Sequence, residues 1–265
     1  MFFHVDTWAL WLIVFAVILG ATALGLLAGR LLRRHSDNLR EPIGVVQGAL
    51  LGFVALILAF GLSLAVGRYE NRRAVTVDQA NAIGTTYLRA QTLLEPQRSQ
   101  SLALLRPYAD ANIRLSHEVP GTQGFRRTVG EAEVLQRRLW ALAGESLDRR
   151  PQDSAPRLYV ETLNETIDAL TTRTAALGNR VPGPVLAVEL GGAAAALFLL
   201  ALYLAFVGRG TTTVVSAAVL VALLLLITFD LDRPVRGLIT VPDAPLVAAR
   251  AEMALPPAAA APTPP

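Results

Sequence analysis

Apolar residues in this chain fall into two regimes: four long runs, interrupted only by Gln47 in the second and Glu189 in the third, and one long polar stretch in which they recur at helical spacing. The runs are Trp8–Gly29, Ile43–Gly67, Pro184–Gly208 and Gly210–Phe229. A hydrocarbon core of about 30 Å takes about 20 residues of helix, because only a helix satisfies its own backbone where there is no water. The runs are therefore expected as transmembrane helices over 8–29, 43–67, 184–208 and 210–229. Trp8 and Trp11 near one end of the first, with Arg30, Arg33 and Arg34 at the other, suit an interface. Ala21-Thr22-Ala23 resembles a signal cleavage site. The first six residues hold no Lys or Arg, however, and the run continues to Ala28, so a retained anchor is expected.

The polar stretch, 68–183, reads as helix throughout. One apolar face carries Tyr69, Val77, Ala80, Ile83, Tyr87 and Leu94; a second carries Leu102, Leu105, Ala109 and Ile113. Phe125, Val129, Ala132, Leu135 and Leu139 mark a third helix, and Tyr159, Leu163, Ile167, Leu170, Thr174 and Leu177 a fourth. Pro and Gly break the pattern at Glu95-Pro96, at Val119-Pro120-Gly121 and between Pro151 and Pro156. The expected fold class is thus an all-α membrane protein. Four transmembrane helices carry a four-helix polar bundle (68–183) inserted between the second and third spans. Residues 1–67 and 184–229 hold the spans, 230–247 form a membrane-exit segment, and the Ala/Pro-rich 248–265 is expected to be disordered.

Composition sharpens this. The chain has 265 residues, 53% hydrophobic and only 17% charged, against roughly a quarter charged in soluble domains. There is no Cys, and all 24 basic residues are Arg. Thiolate metal sites, cysteine nucleophiles, P-loop lysines and Schiff-base lysines are thereby excluded. His4, His35 and His117 lie far apart, so no metal or cofactor is expected. A net charge of +3, with Arg interleaved among acids in the polar stretch, gives no nucleic-acid stripe. Four spans put both termini and the bundle on one face. The Arg count is split between Arg30, Arg33, Arg34, Arg40 and Arg209 on one side and Arg68, Arg72, Arg73, Arg173, Arg180, Arg233 and Arg236 on the other.

Candidate chemistry is sparse. Gly44, Gly48 and Gly52 form a small-residue row, continued by Ala55, Ala59 and Ser63, that admits a close helix backbone from this chain, from another subunit or across a narrow pore. Phe53, Ile57, Phe60 and Leu64 lie on a different face, suited to a hydrophobic constriction or to lipid. Gln47 and Glu189 are the strongly polar residues inside the spans. Glu189, about a turn and a half from its span's start, is expected to reach the interface, with an ion-pathway role as the alternative. At the exit, Asp230 and Asp232, followed by Arg233, are placed to pair with Arg68 or Arg72, beside Arg73, or simply to stop the spans at water.

The segment Gln79-Ala80-Asn81-Ala82-Ile83-Gly84-Thr85-Thr86-Tyr87-Leu88-Arg89 resembles the signature of the bestrophin-like domain family of bacterial membrane proteins. Gly52 with Leu58-Ala59-Phe60, then Arg68-Tyr69 and Arg72-Arg73, resembles the preceding span and its exit. Asp230-Leu231-Asp232-Arg233-Pro234 with Gly237-Leu238-Ile239 resembles the closing motif, and Asn164, Asp168 and Arg173 fit more loosely. Gln79 departs from the family's usual Glu, so no role of that carboxylate carries over. The resemblance implies similarity to bestrophins, pentameric anion channels with a cytosolic helical region between the second and third spans. It would make this chain a homo-oligomer in a bacterial inner membrane, handling inorganic anions, with 68–183 in the cytoplasm.

Three readings follow. The first is an oligomeric anion channel with the second span lining the pore. The second is a non-conducting scaffold whose bundle binds a protein partner, since no midplane charge pair or inverted repeat marks a coupled transporter. An intramembrane enzyme is the poorest, because there is no paired Asp within a span, no GxSxG and no clustered His.

Overall fold

The computed structural model describes residues 6–208 and 210–259, with the side chains of 34–39 excepted. His4, Arg209, the Arg34 and His35 side chains and the tail residues 260–265 therefore lie outside the described residues. The described residues are helical, without strands. The helices are α1 (Thr7–Leu31), α2 (Ser36–Ala90), α3 (Gln97–Leu115), α4 (Gln123–Arg149), α5 (Ser154–Gly178), α6 (Gly183–Val207), α7 (Thr211–Leu231) and α8 (Ala244–Glu252). Four helices are long and apolar enough to cross a membrane.

The chain divides into two compact units: 1–68 with 180–239, and 69–179 with 240–265. In the first, α1 buries Leu10, Val14, Ile18, Thr22, Gly25 and Gly29, a seam at three- and four-residue steps. Its core continues in Val54 and Leu58 of α2, Ala193, Ala196 and Leu197 of α6, and Ala218, Ala222 and Leu225 of α7. A side chain at Gly25 would run into the Phe198 carbonyl, and one at Gly29 into the Leu202 carbonyl. The α1–α6 crossing therefore exists because both positions lack a Cβ. Gly208 ends α6 in the left-handed conformation (φ +76°), its N–H donating to Leu204 O and Ala205 O.

In the second unit the apolar faces converge as their spacing predicts: Ile83 and Tyr87, Leu105 and Tyr108, Leu139, and Tyr159 and Leu163 share one core. The loops fall at the Pro- and Gly-marked breaks. Thr122 Oγ1 accepts from Phe125 N at 3.2 Å to cap α4, and Asp153 Oδ1 accepts from Ala155 N at 3.3 Å to cap α5.

Two expectations are corrected. The second span and the first polar helix are one helix, α2, of 55 residues. Gly67 lies inside it, and a lone Gly lowers helix preference by about 1 kcal/mol without breaking a helix whose neighbours are good formers. The tail is not disordered from residue 248, because α8 runs to Glu252. Leu246 and Met253 are buried in the core of the second unit, and Arg250 Nε donates to Asp110 Oδ1 at 2.7 Å. Two buried apolar side chains and an ion pair hold a segment whose composition alone cannot build a core.

Candidate functional site

On α2 the residues facing its own unit are Val54, Leu58, Gly61 and Ala65, one and two turns apart. The small-residue row lies elsewhere. A Cβ added at Gly48 or Gly52 would meet nothing within 4 Å, whereas one at Gly44 would lie 3.1 Å from Tyr203 Cε2. Phe53 and Phe60 are 60% and 62% exposed, and Ile57 is half-buried. Close packing within the protomer thus uses Gly44, while Gly48 and Gly52 stay open beside a row of outward aromatic side chains.

Glu189 turns inward, against α2, rather than out from the surface of its unit. It is 2% exposed, and its carboxyl group occupies the space a side chain at Gly61 would fill. Oε2 meets no hydrogen-bond partner among the described residues. The missing Cβ of Gly61 is what admits a carboxyl between two helices, and nothing in the sequence spacing pairs positions 61 and 189.

The exit residues bind main chain. Asp230 Oδ2 accepts from Leu238 N and Ile239 N, both at 2.8 Å, and its Oδ1 fills the space over Gly237, whose φ is +127°. Asp232 accepts Val181 N through both oxygens at 3.1 and 3.2 Å. The two carboxylates therefore fasten the loop after α7 and the strand of chain entering α6, charge-assisted contacts stronger than neutral ones. Burial lowers the Arg233 guanidinium and Asp230 opposes that shift; burial lowers Arg180 and Asp232 opposes it. Arg68, half-buried, has Nε and Nη1 without acceptors among the described residues. In the second unit Arg72 donates to Asn179 O at 2.7 Å and Ala176 O at 3.3 Å, closing the carbonyl end of α5, and Arg73 pairs at 3.7 Å with Glu70 on the surface.

The motif residues separate into buried and exposed sets. Gln79 is buried; its Nε2 donates to Asn112 Oδ1 at 2.8 Å and its Oε1 accepts from Arg173 Nη1 at 2.8 Å. Arg173, 2% exposed, also donates to Asn112 O at 3.1 Å and to Ser116 Oγ. Burial brings it down to about 10, Tyr108 and Asp243 opposing. Tyr108 OH accepts from Gln136 Nε2 at 3.0 Å, and Thr86 Oγ1 and Thr166 Oγ1 stand 2.8 Å apart. Tyr87 OH donates to Met253 O at 3.0 Å, which ties the motif to α8. Asn81 lines an open groove with Asp78, Glu165 and Asp168, while Arg89 reaches Leu158 O at 2.8 Å on the surface. Gly84 lines a second groove with Tyr87 and Met253. Arg173 is a loose motif match whose central place in this network no local pattern signals.

The described residues hold no group of three His, Asp or Glu placed for a metal ion. Comparison with known proteins then adds the family. The model of the bestrophin-like domain matches residues 14–246. No curated protein matches the sequence. A crystal structure of a bacterial bestrophin homologue from Klebsiella pneumoniae is similar at 15% identity and TM-score 0.66, covering 89% of this chain and 97% of that one. A singly substituted form of that protein is similar at 17% identity and TM-score 0.64, covering 91% and 95%. At such identities the likeness is one of fold.

Proposed function

The chain belongs to the bestrophin-like family, and from that premise we propose that it is the subunit of a homo-oligomeric anion channel in a bacterial inner membrane. In this reading α2 lines the pore. The polar helices form a bundle inserted between the second and third spans, on the cytoplasmic side. Arg68, half-buried near the exit of α2 with Nε and Nη1 lacking acceptors among the described residues, adds positive charge that raises local anion concentration.

The observation that carries the reading is the open face of α2. Gly48 and Gly52 meet nothing in their own protomer, and Phe53 and Phe60 project outward beside them. Bare glycines let a neighbouring copy's helix come close, and cyclic repetition of that contact closes a ring, fivefold by resemblance. The adjacent Phe53, Ile57 and Phe60 then face the axis and form an apolar constriction that gates by dewetting. The purified chain in planar bilayers is expected to carry anion-selective current, with Phe60→Ala raising single-channel conductance. Silence across chloride and bicarbonate would overturn the assignment.

A second reading, a non-conducting scaffold, draws support from a groove of the second unit lined by Ala103, Leu104, Ala141 and Leu142, with Gln100 and Arg138. It requires ion-tight liposomes and a defined protein that co-purifies with the full chain and is lost on Leu142→Arg.

A further inference from the structure

We propose that Glu189 is a proton-binding site inside the membrane unit, held neutral between α2 and α6 and ionised only when water enters that seam. The case begins with burial. Glu189 is 2% exposed, six residues into α6, and a carboxyl group there lies about 9 Å along the helix from its first residue. Oε2 has no partner among the described residues, and the carboxyl fills the notch left by Gly61. An ionised carboxylate in such surroundings needs a counter-charge, because desolvation costs more than any single hydrogen bond returns.

Three counter-charges are available in principle: a cationic side chain, a metal ion and a proton. The elements packed around Glu189 supply no cationic side chain along their apolar lengths. Charges flank the apolar runs: Asp6 and Arg30 at the ends of α1, Arg40, Glu41 and Arg68 on either side of the apolar stretch of α2, Arg180 before α6, and Asp230, Asp232 and Arg233 at the close of α7. Arg68, seven residues beyond Gly61 on the same helix, makes no hydrogen bond to Glu189: its Nε and Nη1 and the Glu189 Oε2 all lack partners among the described residues. A metal ion wants several oxygen ligands, and Glu189 belongs to no cluster of carboxylates or imidazoles. The notch, already filled by the carboxyl against Gly61, has no room for a hydrated ion. A proton needs no added volume. The geometry therefore selects it.

The consequence is a seam whose hydration follows proton occupancy. With the proton bound, α2 and α6 pack closely; once it leaves to bulk water, the carboxylate draws water toward Gly61. The proposal does not depend on conduction, so it is tested on the full chain in lipid nanodiscs by infrared spectroscopy. At neutral pH the wild type is expected to show a carboxylic-acid carbonyl band that is lost in Glu189→Gln and fades in the wild type at strongly alkaline pH. Gly61→Ala, which displaces the carboxyl, is expected to shift the band. Should the Gln variant not fold, wild type carrying ¹³C-labelled glutamate answers alone, because no other glutamate among the described residues is buried. An isotope-shifted acid band supports the site. Absence of any glutamic-acid band at neutral pH overturns it, whatever the bilayer recordings give.

Discussion

Arg173 Nη1 donates to Gln79 Oε1 at 2.8 Å in the interior of the second unit, so a guanidinium that is 2% exposed rests on a neutral amide. Its other acceptors are the Asn112 carbonyl and the Ser116 hydroxyl, and its Nε has none among the described residues. A hydrogen bond to a charged group contributes about 1.5–3 kcal/mol, and stranding the charge costs as much again. Gln79→Leu is therefore expected to destabilise the unit by about 3 kcal/mol. Gln79→Glu, which puts a carboxylate on the same donor, is expected to raise the thermal midpoint in detergent. A lower midpoint for the Glu variant would show that the amide's bond to Asn112 matters more than charge.

Alkaline stability is set by the same interior. Burial raises Tyr108 and Tyr159 from 10.0 to about 12, so the folded state keeps protons that the unfolded chain has released. Stability from both is complete below pH 10.0 and is lost as pH rises toward 12. Arg173, lowered from 12.5 to about 10, acts oppositely: its unfavourable burial disappears as pH climbs over that range. Two tyrosines against one arginine give a net fall. Melting curves followed by tyrosinate absorbance are expected to show it, less steeply in Tyr159→Phe.

Removing the exit carboxylate tests its role as a main-chain clamp. Asp230→Ala strips the acceptor from Leu238 N and Ile239 N, two charge-assisted bonds at about 1.5–3 kcal/mol each. The variant is expected to become protease-sensitive between 232 and 240. Gly237→Ala should do the same, because its φ of +127° and the Asp230 oxygen above it both exclude a side chain.

The two glycine rows separate protomer from assembly. Gly25→Ala forces a methyl into the Phe198 carbonyl and is expected to cost about 1–3 kcal/mol of protomer stability, read as a lower melting temperature. A Cβ at Gly52 meets no atom of its own protomer within 4 Å, so for Gly52→Leu the midpoint should hold while light scattering reports a smaller assembly. A lowered midpoint with unchanged mass would place that row inside the protomer.

The spans were legible because twenty apolar residues in a row have one inexpensive solution in lipid, and the loops of the polar stretch because Pro and Gly end helices locally. What escaped depends on partners remote in sequence. Gly25 and Gly29 repeat at the same interval as Gly48 and Gly52, and only the position of α6 decides which pair is covered. Asp230 and Asp232 advertise charge pairing; that their oxygens also bind Val181, Leu238 and Ile239 through peptide N–H groups, which every residue carries, no spacing signals. Gln79 stood out as a departure from a motif; that Arg173, ninety-four positions later, is what it holds could be found only in three dimensions.

The docking of α8 bears on how the protein is handled at the bench. Trimming on composition alone, a common step before crystallisation, would cut away Arg250 and Met253 and leave Tyr87, Arg106 and Asp110 facing solvent where they now meet α8. A purification tag is safer added after this tail than grafted in place of residues 248–265, since a shortened chain would carry an open wound in its polar half.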